Sequence, residues 1–218
     1  MTVDKLTSIQ NEIQLKIQNS NILNLKTTII AVSKTYPMKD ILPLIEYGHM
    51  HYGENKVQEA EKKFDELRKD FNDIELHLIG PLQTNKVKQA MKIFDVIQSV
   101  DREKLVKEIS KNHSELLRTQ KFYLQINIGK EDQKSGVFPE QTKTLYDYAV
   151  GQGLNIVGLM CIPPNDKEPD TYFYQMIELK NSINPNLLLS MGMSGDYQSA
   201  LKHQTNCIRI GSLFFNDQ

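Results

Sequence analysis

The stretch Cys207-Ile208-Arg209-Ile210-Gly211-Ser212-Leu213-Phe214-Phe215-Asn216-Asp217-Gln218 decides the fold. Its first four residues read as a short β-strand, and only seven residues follow Gly211, too few for a full helix. Working back from there, the same type of strand recurs about every 20 to 30 residues, each time behind a run of helical period. The strands read as 28–33, 50–52, 75–79, 96–99, 122–127, 156–160, 187–189 and 207–210, with Gly53 closing the second. Helical runs over 40–47, 57–68, 86–93, 102–117, 142–152, 172–183 and 197–202 lie between them. Eight strands alternating with helices argue for an α/β fold, a single parallel (β/α)8 TIM barrel spanning 1–218 as one domain. Leu6, Ile9, Ile13 and Ile17 step by three and four, so an extra amphipathic helix is expected within 1–22. Packed on the barrel, it would fill the sector that the missing eighth helix leaves open. An open doubly wound sheet is the alternative, and it requires some of the eight strands to be misread.

Composition narrows the function. Twenty-six Lys plus Arg against 27 Asp plus Glu leave a net charge of −1, which excludes a nucleic-acid or membrane binder working through bulk charge. Hydrophobic residues make up 39% of the chain, a globular composition, yet no stretch approaches the roughly 20 apolar residues that cross a bilayer. The first residues carry no signal-peptide core, and the only cysteines are Cys161 and Cys207. A cytoplasmic, monomeric protein is the expectation, and Asn112-His113-Ser114 is then a glycosylation triplet without a secretory context.

In a barrel of this type the chemistry sits at the C-terminal ends of the strands. Those ends carry Lys34, Gly53-Glu54-Asn55, Gly80, Asn127, Cys161, the run Ser190 to Asp196, and Arg209 to Ser212. A lysine between low-dielectric walls is desolvated, which favours the free amine that attacks a carbonyl. Ser190-Met191-Gly192-Met193-Ser194-Gly195 and Arg209-Ile210-Gly211-Ser212 offer close-approach glycines, hydroxyls and a cation after strands seven and eight, where barrels commonly bind phosphate. A reactive amine facing a phosphate cradle calls for a ligand with both an aldehyde and a phosphate. Pyridoxal 5′-phosphate and a sugar phosphate handled through a Schiff base both qualify. His49 and His51 form an H-x-H pair with both rings on one strand face, but neither Asp nor Glu ends strands three to six, so no metal site is expected. Glu59-Ala60-Glu61-Lys62-Lys63 reads as a solvated helix face.

Seven motifs in order carry a resemblance over most of the chain. They are Ala31-Val32-Ser33-Lys34-Thr35-Tyr36-Pro37; Tyr52-Gly53-Glu54-Asn55-Lys56-Val57-Gln58-Glu59; His77-Leu78-Ile79-Gly80-Pro81-Leu82-Gln83-Thr84-Asn85-Lys86; Gln125-Ile126-Asn127-Ile128 with Lys134-Ser135-Gly136-Val137; Gly158-Leu159-Met160-Cys161-Ile162-Pro163; Leu189-Ser190-Met191-Gly192-Met193-Ser194; and Arg209-Ile210-Gly211. The chain resembles the pyridoxal phosphate homeostasis proteins, whose barrel is similar to the N-terminal domain of alanine racemase. That resemblance implies pyridoxal 5′-phosphate as cofactor, Lys34 as the Schiff-base lysine, Ser194, Arg209, Gly211 and Ser212 around the phosphate, and Met193 as a further cofactor-binding residue. It also places Asn55 in the pocket lining and gives Lys134 a secondary role in handing the cofactor over. Gln204, Asn206 and Asn216 depart from the family pattern (glycine, threonine and glycine) and read as lying near the phosphate end. With nearly all residues used by the barrel, and Tyr36 and Tyr52 not visibly oriented, the expected function is non-catalytic: intracellular vitamin B6 homeostasis or delivery, with transient contact to apo-enzymes. A racemase-like enzyme or a Schiff-base aldolase or lyase on a sugar phosphate is the alternative, and an interaction module without ligand the third.

Overall fold

The computed structural model describes residues 2–19, 26–113, 120–165 and 168–216. Eight parallel strands close into a barrel in chain order: β1 (Thr28–Val32), β2 (His51–Glu54), β3 (Glu75–Leu78), β4 (Val96–Val100), β5 (Lys121–Ile126), β6 (Ile156–Cys161), β7 (Leu188–Met193) and β8 (Cys207–Ile210). Closure is through β8 on β1, with Thr28 opposite Cys207 and Ala31 opposite Ile210. The barrel reading holds and the open sheet does not.

The ring outside is α1 (Thr2–Asn19), α2 (Met38–Glu46), α3 (Val57–Phe64), α4 (Leu67–Asp70), α5 (Val87–Ile93), α6 (Glu103–His113), α7 (Thr142–Gly151), α8 (Pro169–Ile183), α9 (Tyr197–Lys202) and α10 (Ser212–Phe215). After β8 there is one helical turn, α10, and α1 lies against α10, α2 and α9. Leu6, Ile9 and Ile13 are buried there, and Lys5 Nζ donates to the Asn216 carbonyl at 3.0 Å. The expected helix over 57–68 divides into α3 and α4. Residues 114–117 of the expected sixth helix, with Ser114 of the glycosylation triplet, lie outside the described residues.

Period-two alternation along each strand splits the apolar residues into two layers. The larger fills the space between strands and helices. A small cluster of Ile30, Val96, Tyr123, Met160 and Cys207 belongs to the barrel interior. Gly53 lies inside β2 rather than ending it: a Cβ there would stand 3.0 Å from Ile30 Cγ2 and 3.2 Å from Ile79 Cδ1, so this interior position has room for little more than hydrogen. At Gly158 a Cβ would meet Tyr123 Cε1 at 2.4 Å, and that space lets Tyr123 reach across to Cys207 Sγ at 3.6 Å. Burial pushes the thiols up, Cys161 to about 12 and Cys207 to about 11, so both are protonated and inert at neutral pH. Among the described residues no helix is long and apolar enough to cross a membrane.

Candidate functional site

A cavity of about 700 Å³ opens at the C-terminal ends of the strands, within the size range of small-molecule sites. Lys34, Asn55, Lys134, Met193, Ser194, Arg209, Gly211 and Ser212 all line it. Four of these segments are read from strand ends and Lys134 from the resemblance, and all five border one cavity.

Lys34 stands differently from the expectation. The β1 ladder runs on only as far as Ser33, whose N–H donates to the Gly53 carbonyl at 3.0 Å, and Lys34 begins a turn. Its side chain is exposed at the cavity lip rather than walled in by apolar strands. Thr35 then takes φ 66°, a left-handed value that is an outlier for a β-branched residue. Beside it Tyr36 is oriented after all: its hydroxyl donates to Asn216 Oδ1 at 2.5 Å and its ring centroid lies 4.6 Å from that of Phe215. Tyr52 faces away from the cavity, buried against Phe64 in the outer layer.

On the closing side of the barrel, where β8 adjoins β1, the β7 and β8 loops come together on Ser194. Its Oγ accepts from the amides of Gly211 (3.3 Å) and Leu213 (3.5 Å), which leaves the hydroxyl proton to be donated to an anion. The Met193 N–H is committed to Asp196 Oδ1 at 2.5 Å, so that amide is not a phosphate donor. Arg209 is not part of a surface cradle either. It is 3% exposed, and NH1 donates to Ser190 Oγ at 2.9 Å while NH2 donates to the Cys161 carbonyl at 2.8 Å. The guanidinium therefore forms the floor of the cavity, because an inward-facing β8 position points into the barrel and not along its rim.

From that floor a polar chain descends the barrel with its directions determined. A guanidinium only donates, so Ser190 accepts from Arg209 and passes its own proton to Gln98 Oε1 at 2.6 Å. The Gln98 Nε2 then donates to His77 Nδ1 (3.1 Å), which puts the proton of a neutral His77 on Nε2, 3.3 Å from Glu75 Oε1. Burial holds the His77 imidazole below its usual range. Glu75 also meets His51 Nδ1 at 3.5 Å and Lys121 Nζ at 2.7 Å; these partners, the two histidines first, hold its carboxyl well below the ordinary carboxylate range. His51, Glu75 and His77 gather within 4.8 Å at the N-terminal end of the barrel, away from the cavity. A metal there would need a bare His77 Nε2, the atom to which the chain assigns a proton. His49, the other half of the H-x-H pair, precedes β2 and turns its Nε2 onto the His51 carbonyl. Glu75 begins β3 rather than ending it, so it is not among the strand-end residues from which a third ligand would be expected.

Lys134 is held at the lip by Glu131 Oε2 (2.6 Å) and the Pro163 carbonyl (3.3 Å). The buried Asn127 side chain shapes that loop through Glu131 and the Lys134 carbonyl. Gln125, part of a quoted motif but not among the expected site residues, also lines the cavity; its offset of two from Asn127 at the end of the same strand is the signal for it. Two of the three departures lie elsewhere than expected. Gln204 and Asn206 precede β8 at the far end, where Asn206 Oδ1 accepts from Leu189 N–H at 2.8 Å, and only Asn216 borders the site, through Tyr36. The helix face over 59–63 is not simply solvated: Glu59 and Lys63 turn onto the Ser33–Thr35 backbone, while Glu61 and Lys62 are exposed.

Comparison with known proteins identifies the family and the fold. The family model for the alanine racemase N-terminal domain matches residues 11–218. A pyridoxal phosphate homeostasis protein of Aquifex aeolicus is 38% identical over 199 residues, covering 87% of this chain and 86% of that one. The structure of PipY of Synechococcus elongatus with PLP bound is 32% identical with a TM-score of 0.83, covering 99% of this chain and all of that one. An alanine racemase of Clostridium difficile shares the fold at 13% identity and a TM-score of 0.69, over 57% of its own length. On these matches the chain belongs to the alanine racemase N-terminal domain family and, within it, to the pyridoxal phosphate homeostasis proteins.

Proposed function

We propose that the cavity takes pyridoxal 5′-phosphate and that the protein holds and releases this cofactor in the service of vitamin B6 homeostasis. The observation that carries the reading is one cavity lined both by an exposed primary amine, Lys34, and by the Ser194 hydroxyl with the Gly211-Ser212 turn. When bound, the cofactor supplies an aldehyde that condenses reversibly with a primary amine and releases water. Of the two lysines that line the cavity Lys34 is the more exposed, whereas Lys134 is paired with Glu131. Ser194, Gly211 and Ser212 face the phosphate, Met193 and Asn55 complete the wall, and Arg209 sets a positive floor under the ligand. Lys134, at the lip, receives the cofactor on its way in or out.

Carriage rather than catalysis is the reading that the lining supports. Among the described residues that line the cavity there is no carboxylate, imidazole or thiol to act as acid or base, and the Glu131 carboxylate at the lip is paired with Lys134. The Tyr36 phenol is spent on Asn216. Open access to solvent suits loading and release by transient contact with apo-enzymes, in the cytoplasm and from a monomer.

Titration with pyridoxal 5′-phosphate tests the reading, followed by its absorption band. Wild-type protein gains a shifted band, and Ser194→Ala raises the dissociation constant about tenfold, the loss of a charge-assisted hydrogen bond. A protein that stays colourless, or a Ser194→Ala variant that binds as wild type, contradicts the assignment. Turnover of D- or L-amino acids well above the rate of free cofactor would contradict carriage and favour the racemase-like alternative.

A further inference from the structure

We propose that Lys63 is a positioning residue for Lys34, fixing the turn that presents the amine. The proposal rests on the reading of Lys34 as the attachment point. Lys63 lies on α3, one helical turn after Glu59, and does not line the cavity. Its ammonium has three donors, and three acceptors take them: the Ser33 carbonyl at 2.7 Å, Glu54 Oε1 at 3.0 Å and Glu59 Oε1 at 2.7 Å. The two carboxylates reach the same turn. Glu54 Oε1 also accepts from Ser33 Oγ at 2.8 Å, and Glu59 Oε1 accepts from the Thr35 N–H at 2.6 Å. Lys34 is therefore gripped on both sides, by the hydroxyl and carbonyl of Ser33 and by the amide of Thr35, while its own side chain is left to the cavity.

Two features say that this grip is more than a surface ion pair. Glu54 is completely buried and the Lys63 side chain is only 14% exposed, so removing the cation would strand a carboxylate out of water. Thr35 holds φ 66°, a strained value that persists only where the surroundings over-determine it. The Glu59 acceptor on the Thr35 amide is that determinant. Released from the clamp, the turn relaxes towards ordinary backbone angles and carries the Lys34 Cα with it, so the amine meets its ligand in the productive pose less often.

The test uses the full-length protein and two ligands. Pyridoxine 5′-phosphate lacks the aldehyde and reads the phosphate side alone, whereas pyridoxal 5′-phosphate reads attachment at Lys34. In Lys63→Met the rate of attachment falls about tenfold or more, while pyridoxine 5′-phosphate binds within about twofold of wild type. Lys63→Arg, which keeps a donor cation, recovers most of the rate. Should Lys63→Met fail to fold, Glu59→Gln carries the test, because it keeps an acceptor for Thr35 and loosens only the cation; its attachment rate falls severalfold with phosphate-side binding intact. Attachment at the wild-type rate in the folded variants overturns the proposal, as does an equal loss of both ligands. Wild-type protein that attaches the cofactor nowhere, or at another lysine, overturns instead the reading on which it rests.

Discussion

At the scale of single residues, the interior of the barrel is organised by the donor-only character of Arg209. Because its protons run one way, Ser190, Gln98 and His77 have no choice of hydrogen-bond role. Gln98→Leu should then cost about 2–4 kcal/mol, since it leaves the Ser190 hydroxyl and His77 Nδ1 unpaired in the interior. Urea unfolding checks this, and a midpoint unchanged from wild type would mean the chain is incidental. Gln204 is a smaller case. Its departure from glycine was visible in the sequence, and the structure supplies the cost: φ 56° in the left-handed region. Gln204→Gly should stabilise by about 0.5–1 kcal/mol, the steric relief less the added freedom of the unfolded chain, read as a rise in Tm. Legibility at this scale follows position. Lys34, Ser194 and Gly211 could be found because strand ends can be counted. Glu59 and Lys63 could not: an i,i+4 Glu–Lys pair looks the same whether it faces water or a turn contributed by another element.

At the scale of elements, the informative piece is α1. Among the described residues the short α10 follows β8, and α1 packs beside it with Leu6, Ile9 and Ile13 buried. Leu6, with no exposed surface, is the deepest of these, and Leu6→Ala should cost about 2–5 kcal/mol. A loss well under 1 kcal/mol in chemical denaturation would show that α1 merely rests on the barrel. The strands were legible wherever β-branched residues run together, as in β1 and β4. Register was less so. Gly53 and Gly192 read as turn residues but lie inside β2 and β7, because an interior glycine leaves the same mark in a sequence as a terminating one.

At the scale of the whole molecule, buried histidines set the response to acid. Burial, helped by the charge of His51, brings His49 down to about 4, and burial likewise lowers His77. Between the unfolded value near 6.5 and the folded value, the unfolded chain binds the extra proton, so stability falls as the pH drops through that window. Glu75, held low by its histidine and lysine partners, acts in the same direction once the unfolded carboxylate range is reached. His49 alone accounts for up to ~3 kcal/mol by pH 4. His49→Gln should flatten the decline in the urea midpoint between pH 6.5 and 4.5, and a variant with the wild-type slope would place the acid response elsewhere.

The site as a whole turns on one amine. Reduction of the pyridoxal 5′-phosphate complex with borohydride, followed by peptide mass mapping, tests it most directly. A single phosphopyridoxyl group on the peptide that contains Lys34 is the predicted result. The group on Lys63, Lys134 or any other lysine, with Lys34 unmodified, would contradict it.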